Sequence, residues 1–127
     1  ITDLPAAAAA KKFAPATIVE RDGERFGIVG ATTPIVASIS SVGGVAVKNP
    51  GAGTNDMAAL ATILQPVIDA LTLDGVDKII LVTHLQQIQL EEQLLPLLFD
   101  VDVVIAGGSD TLLADGTDTL HPGDVAQ

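Results

Sequence analysis

Two polar segments of this sequence follow runs of aliphatic residues, and both contain side chains that could do chemistry. The first is Thr83-His84, after KIILV at positions 78–82, and the second is GGSD at 107–110, after VDVVIA at 101–106. If the two runs are neighbouring parallel strands, their carboxyl ends meet at the sheet edge where open α/β sheets bind ligands. An imidazole and a carboxylate that meet there can hold a divalent metal ion. The sequence therefore predicts that His84 and Asp110 lie near each other.

Each of these residues also has a purely structural interpretation. His84 fits a helix-start or core histidine whose ring has one satisfied nitrogen, and Ser109-Asp110 fits a turn closed by a side-chain hydrogen bond. Gly107-Gly108 fits a backbone turn or a close approach to a ligand, but it is neither a G-x-G-x-x-G motif nor a P-loop. Among the other polar candidates, His121 is predicted to be a surface residue, and three aspartates are predicted to form a solvated acidic loop (Asp115, Asp118, Asp124). Ser40 and Ser41 lie outside any G-x-S-x-G motif, so the sequence does not support a serine-hydrolase nucleophile.

The composition excludes several classes of function. The 127 residues hold 6 Lys+Arg against 16 Asp+Glu, which gives a formal net charge of −10 and disfavours nucleic acid or an anionic membrane surface as a partner. The absence of Cys excludes disulfides, thiolate metal sites and a Cys nucleophile. The hydrophobic fraction of 48% argues against disorder. No apolar run reaches the roughly 20 residues that a membrane-spanning helix needs.

The elements that must position the polar segments begin with a hairpin. β-rich runs at 17–20 and 25–30 flank Asp22-Gly23, and a D-G pair between such runs is a strong hairpin signal. A further short strand is predicted at 45–48. Residues 1–16 contain five consecutive alanines between Pro5 and Lys11, which predict either a short helix or a mobile arm. The domain itself is predicted to comprise residues 17–127.

Helices and strands then alternate along the chain. Apolar residues recur with helical spacing over 56–71, which predicts a helix that is capped by Thr54 or Asn55, has Asp56 in its first turn and kinks at Pro66. The segments 78–83 and 101–106 predict buried strands, with a helix over 89–99 between them. This order predicts an α/β fold, a layered sheet with parallel β-α-β crossovers.

Three stretches together resemble a known family: FGIVGATTP (26–34), GVDKIILVTHLQQ (75–87) and VDVVIAGGSDTLLAD (101–115). They resemble the 5′-nucleotidase-like branch of the metallophosphoesterase (calcineurin-like) superfamily. The resemblance implies that 17–127 is the C-terminal half of the catalytic domain, half of a four-layer α/β/β/α sandwich, and that His84 is a metal ligand. Where the family has a second metal-binding His, this chain has Gly108 or Ser109. Asp110 could supply an oxygen ligand instead, with Ser109 or Thr111 helping.

The family's earlier motifs, Asp-x-His, Gly-Asp-x-x-Asp and Gly-Asn-His-Asp/Glu, do not occur in this sequence. The resemblance implies that they belong to the missing N-terminal half of the domain and supply most ligands of two divalent metal ions. It implies that the longer protein hydrolyses nucleotides or other phosphate esters in a periplasmic, secreted or cell-surface setting. The isolated chain is expected to be inactive and to hold no catalytic residue of its own.

Two alternatives from other functional classes remain open. One is a non-catalytic α/β module that binds a small ligand in the strand-end crevice without a metal. The other is a subunit that forms a homodimer or pairs with a partner through an exposed strand edge, since an unpaired edge favours association.

Overall fold

A mixed four-stranded sheet positions the two polar segments. The computed structural model describes residues 2–3, 14–43, 46–47 and 50–123. Of the segment 1–16, for which a short helix or a mobile arm was predicted, residues 1 and 4–13 lie outside the described residues. The elements are β1 (Thr2–Asp3), β2 (Ala16–Arg21), β3 (Glu24–Thr32), α1 (Val36–Ile39), β4 (Ala46–Val47), a 3₁₀ turn (Pro50–Gly53), α2 (Met57–Leu73), β5 (Ile79–His84), α3 (Ile88–Leu94), a second 3₁₀ turn (Leu95–Leu97) and β6 (Val103–Ile105).

The predicted hairpin is confirmed. Strands β2 and β3 pair in antiparallel fashion up to Arg21 and Glu24, so only Asp22 and Gly23 form the turn. Both turn residues have positive φ, 53° and 84°, as the favoured two-residue hairpin turn requires. The D-G pair thus fixes the register of the first two strands.

The sheet has the strand order β2-β3-β5-β6, and the predicted parallel crossovers are confirmed. Strand β5 pairs in parallel with β3 on one side and with β6 on the other. Helix α2 lies between β3 and β5 in the sequence, and α3 lies between β5 and β6. Of the strand predicted at 45–48, the structure describes residues 46 and 47, which form β4; this strand pairs with β1 and is not part of the four-stranded sheet.

The N-cap of helix α2 lies one or two residues later than predicted. Asp56 is itself the N-cap, because its Oδ1 accepts the backbone N–H of Ala59 at 2.9 Å. The expectation that Thr54 or Asn55 caps the helix is wrong. The hydroxyl of Thr54 donates to the carbonyl of Gly51 at 2.7 Å instead. The helix continues through Pro66 to Leu73.

Helix α3 is shorter than the span 89–99 predicted from the sequence. It ends at Leu94, and a 3₁₀ turn continues to Leu97. Pro96 explains the early end, since proline has no N–H to donate and its ring clashes with the carbonyl four residues before it.

The two faces of the sheet differ in burial. On the covered face, strand residues such as Val29 and Leu81 pack against α2 and α3 in one core. The opposite face, which we call the open face, has the exposed side chains of Val19 (45%), Val82 (38%), Val103 (49%) and Ile105 (54%). The expectation that 101–106 is a buried strand is therefore wrong: β6 is an edge strand, and the described helices cover only one face.

Candidate functional site

His84 is the last residue of β5, whereas the strand was predicted to end at Thr83, one residue before it. Its carbonyl accepts the N–H of Thr33 at 2.9 Å, which continues the pairing between β3 and β5. Side chains alternate between the faces along a strand, so His84 shares the open face with Val82. Its side chain is exposed. The parallel sheet therefore presents an imidazole to solvent at its carboxyl edge.

Thr83, the neighbour of His84, points to the covered face and is buried. Its hydroxyl donates to Oε1 of Glu91 at 2.8 Å and lies 3.5 Å from the carbonyl oxygen of Ile105. Glu91 is only 3% exposed, so α3 carries a buried carboxylate directly behind the strand end. This buried pair was not predicted from the sequence. No local signal in the sequence marks this carboxylate, because the burial of its neighbours Leu90 and Leu94 is known only from the structure.

The glycines that follow β6 lie against the imidazole of His84. A Cβ atom at position 108 would lie 2.5 Å from Nε2 and 2.6 Å from Cδ2 of His84. A Cβ atom at position 107 would lie 3.1 Å from the carbonyl oxygen of Thr83 and 3.9 Å from Nδ1 of His84. The two polar segments are therefore adjacent, and the residues that meet are His84 and the glycines at 107 and 108.

Ser109 and Asp110 continue the same loop. The hydroxyl of Ser109 donates to Oγ1 of Thr111 at 2.6 Å and accepts the N–H of Thr111 at 3.1 Å, the contacts of a serine turn. The side chain of Asp110 is exposed. That Asp110 and Ser109 share a metal ion with His84 stays a prediction.

The described residues do not form a complete metal site. Within 2–3, 14–43, 46–47 and 50–123, no group of three or more His, Asp or Glu side chains could hold a metal ion. A zinc site usually has four ligands, and a two-metal centre needs more. The residues at the strand ends do not fit two metal ions by themselves.

Charged groups at the opposite edge of the sheet are engaged with one another. Hydrogen bonds to Glu24 and Asp77 raise the pKa of Lys78, and the bond from Lys78 lowers the pKa of Asp77. A cavity of about 320 Å³ lies at this edge, beside Asp77, Asp100 and Asp102. The carboxylate of Asp102 accepts the N–H of Ile79 at 2.7 Å, so it joins β5 to the start of β6. The charged residues at this edge thus form ion pairs and a hydrogen bond between strands, at the end of β5 opposite His84.

The other polar residues considered earlier lie outside the strand-end site. The hydroxyl and N–H of Thr117 both donate to Asp115 at 2.7 Å, and these bonds lower the pKa of that carboxyl. Asp115 is thus part of a turn. His121 is exposed, and Asp124 lies outside the described residues. Among the helices that the structure describes, none has the length and hydropathy needed to cross a bilayer.

The structure is similar to that of the NAD nucleotidase (NadN) of Haemophilus influenzae, with a TM-score of 0.62 and 26% sequence identity. The match covers 91% of this chain and 19% of the nucleotidase chain, so this chain spans about a fifth of that protein. No protein-family model and no curated protein sequence matches. The resemblance to the 5′-nucleotidase-like branch of the metallophosphoesterase superfamily is thereby confirmed, and the chain has an α/β fold shared with a nucleotidase.

Proposed function

We propose that this chain is part of a metal-dependent phosphoester hydrolase that acts on nucleotides or other phosphate esters. The observation that supports the proposal is the exposed imidazole of His84 at the carboxyl end of β5, beside the glycine loop after β6. Open α/β sheets bind ligands at that edge. The similarity to a nucleotidase over 91% of the chain favours a phosphate ester as the ligand.

His84, Asp110 and Ser109 are the residues we propose as metal ligands. An imidazole, a carboxylate and a hydroxyl are suitable donors for a divalent ion, but three donors do not complete two metal sites. A bound divalent ion would polarise a phosphoryl oxygen and lower the pKa of its water. Since the described residues hold only part of the ligand set, we propose that the 127-residue chain alone is inactive.

The open face is where we propose that the rest of the catalytic domain packs. Its exposed side chains Val82, Val103 and Ile105 are apolar, and they lie on adjacent parallel strands. A second sheet that packed there would bury these side chains and would also reach His84, which is on the same face. The segment that covers the open face is therefore the proposed source of the remaining metal ligands. This packing would also complete the four-layer sandwich.

The open face also favours the second candidate function, an oligomerisation module. Strand β6 is a sheet edge with apolar side chains exposed on one face, and such an edge can pair with another copy of the chain. A module of this kind would need neither a metal ion nor His84.

For the hydrolase, we propose a periplasmic, secreted or cell-surface location and a role in nucleotide catabolism.

The test is nucleotide hydrolysis by a longer protein that contains this chain, measured with and without a divalent ion. We expect activity to need the ion and to fall at least about 100-fold in His84→Ala. Mutation of a residue that only hydrogen-bonds to a metal ligand already lowers metal affinity or activity by about 10–100-fold, and His84 is proposed as a ligand itself. Asp110→Asn and Ser109→Ala are expected to lower activity less. His121→Ala is the matched control, since His121 is the other His of the chain and is expected to keep full activity.

Two results would contradict the proposal. Full metal-dependent activity in His84→Ala would remove His84 from the site. Metal-dependent hydrolysis by the 127-residue chain alone would show that the chain is sufficient for activity. If the longer protein has no hydrolase activity but this chain associates through the open face, the oligomerisation module is the better explanation.

A further inference from the structure

The imidazole of His84 runs alongside the backbone of Gly107 and Gly108. Its Nδ1 lies on the Gly107 side, 3.9 Å from where a Cβ atom would stand, and its Cδ2–Nε2 edge lies on the Gly108 side at 2.6 and 2.5 Å. The two distances at position 108 are shorter than real Cβ atoms show, because repulsion between atoms rises steeply below 3.0 Å. Any side chain at position 108 would therefore displace the ring.

Gly108 has a second reason to be glycine, and the two reasons can be separated. Its φ of +83° lies in the region that L residues seldom adopt. Gly23 in the hairpin turn has nearly the same φ, +84°, but no atom lies within 4 Å of a Cβ placed there. The two positions share the backbone requirement, and only position 108 has the imidazole beside it.

We propose that Gly108 is a positioning residue for His84: the space left by its missing side chain sets where the imidazole edge lies. The backbone of Gly108 lies against the Cδ2–Nε2 edge of the ring, and on this proposal that contact favours one orientation of the ring before any ligand binds. The purpose of this orientation, presenting His84 to a divalent ion, rests on the proposed function. The contact itself needs no metal.

The first measurement uses the metal-free 127-residue chain and nuclear magnetic resonance. The chain has two His residues, so His121→Ala assigns the ring signals of His84 directly. We expect nuclear Overhauser contacts between the His84 ring protons and the α protons of Gly108. We also expect His84→Ala to shift the Gly108 α protons, since they lose the ring-current effect of the imidazole. Absence of both effects would overturn the proposal.

The second measurement compares Gly108→Ala with Gly23→Ala. Both variants incur the strain of alanine at positive φ, but only Gly108→Ala should move the His84 ring signals. Gly108→Ala should also lower the urea midpoint of unfolding more than Gly23→Ala, and this excess should vanish when both variants are made in His84→Ala. Equal midpoints together with unchanged ring signals would contradict the proposal. If Gly108→Ala does not fold, the contacts of the unaltered chain still decide.

A third measurement separates this proposal from the proposed function. Added Mn²⁺ should broaden the His84 ring signals in the unaltered chain and in Gly23→Ala, and it should do so only at higher concentration in Gly108→Ala. If Mn²⁺ broadens no His84 signal while the Gly108 contacts are present, His84 does not bind the ion in this chain by itself, and the positioning contact stands. If the unaltered chain binds Mn²⁺ through His84 and Gly108→Ala binds it equally well, Gly108 does not position the ligand.

Discussion

The covered and open faces of the sheet consist of alternating residues of the same strands, yet their side chains differ in burial. Leu81 on the covered face is fully buried, whereas its neighbour Val82 on the open face is 38% exposed. Thr83 is likewise buried and its neighbour His84 exposed. The difference shows that aliphatic character alone does not identify the core of this chain. One face forms the core, and the other is partly exposed in the part of the chain that the structure describes.

The largest expected effect tests the covered face. Leu81→Ala should lower the free energy of unfolding by about 2–5 kcal/mol, because it opens a cavity in the core shared with α2 and α3. Val82→Ala, one residue along on the open face, should cost less than about 1 kcal/mol. Urea unfolding of both variants measures the difference. Similar losses in the two variants would mean that the open face is as well packed as the covered face.

The buried polar pair gives the next effect. Thr83→Val keeps the shape of the side chain but removes the donor to Glu91, and an unsatisfied buried acceptor costs about 1–3 kcal/mol. Thr83→Ser retains the hydroxyl and should recover part of that loss. Thr17→Val, at an exposed position of β2, is the control and should change stability by at most about 0.5 kcal/mol. A stable Thr83→Val protein would show that the pair does not contribute to the covered face.

The open face is tested by charge rather than by cavities. Val103→Lys with Ile105→Lys should leave stability within about 1 kcal/mol, since both side chains are about half exposed. The same pair of changes should abolish any concentration-dependent association of the 127-residue chain, measured by light scattering. Leu73→Lys, at an exposed position at the end of α2, is the matched control. Association that survives the open-face changes would place the contact elsewhere.

The smallest effect concerns the charged edge of the sheet. The pKa of Asp77 is lowered by Lys78, so the ionised carboxyl favours the folded state at pH values above 3.8, and this is lost as the pH falls through the lowered value. The pKa of Lys78 is raised above 10.5, so its contribution is present below that pH and is lost as the pH rises through the raised value. Lys78→Met should flatten both limbs of the stability profile slightly, because exposed pairs contribute little. His84→Ala should leave both limbs unchanged, and equal flattening in that variant would contradict the assignment.

Much of the fold could be predicted from local signals. The D-G turn set the hairpin, the helical spacing of apolar residues set α2, and the aliphatic run set β5. The errors have physical causes. Asp56 rather than Thr54 or Asn55 caps α2 because the helix begins at Met57, so Asp56 is the residue whose carboxylate reaches the N–H of Ala59. Helix α3 stops early because Pro96 cannot continue it.

The candidate site could be predicted only in outline. His84 and the loop after β6 were placed at one sheet edge because parallel neighbours end together. Glu91 was missed because an acidic residue in a short helix gives no sign that its carboxylate is buried. The contact of Gly108 with the imidazole was missed because a glycine pair fits a turn equally well.

Local chemistry in the sequence by itself determined the hairpin, the presence of α2 and the position of His84 at the end of an aliphatic strand, because each depends on neighbours a few residues away. Only the tertiary structure decided which aliphatic residues are core. The helices of the described chain cover one face of the sheet, so Val103 and Ile105 remain exposed although their sequence is as apolar as that of β5. It also decided that glycine, rather than a second side chain, lies beside the imidazole, since that contact joins residues 24 positions apart through strand order alone.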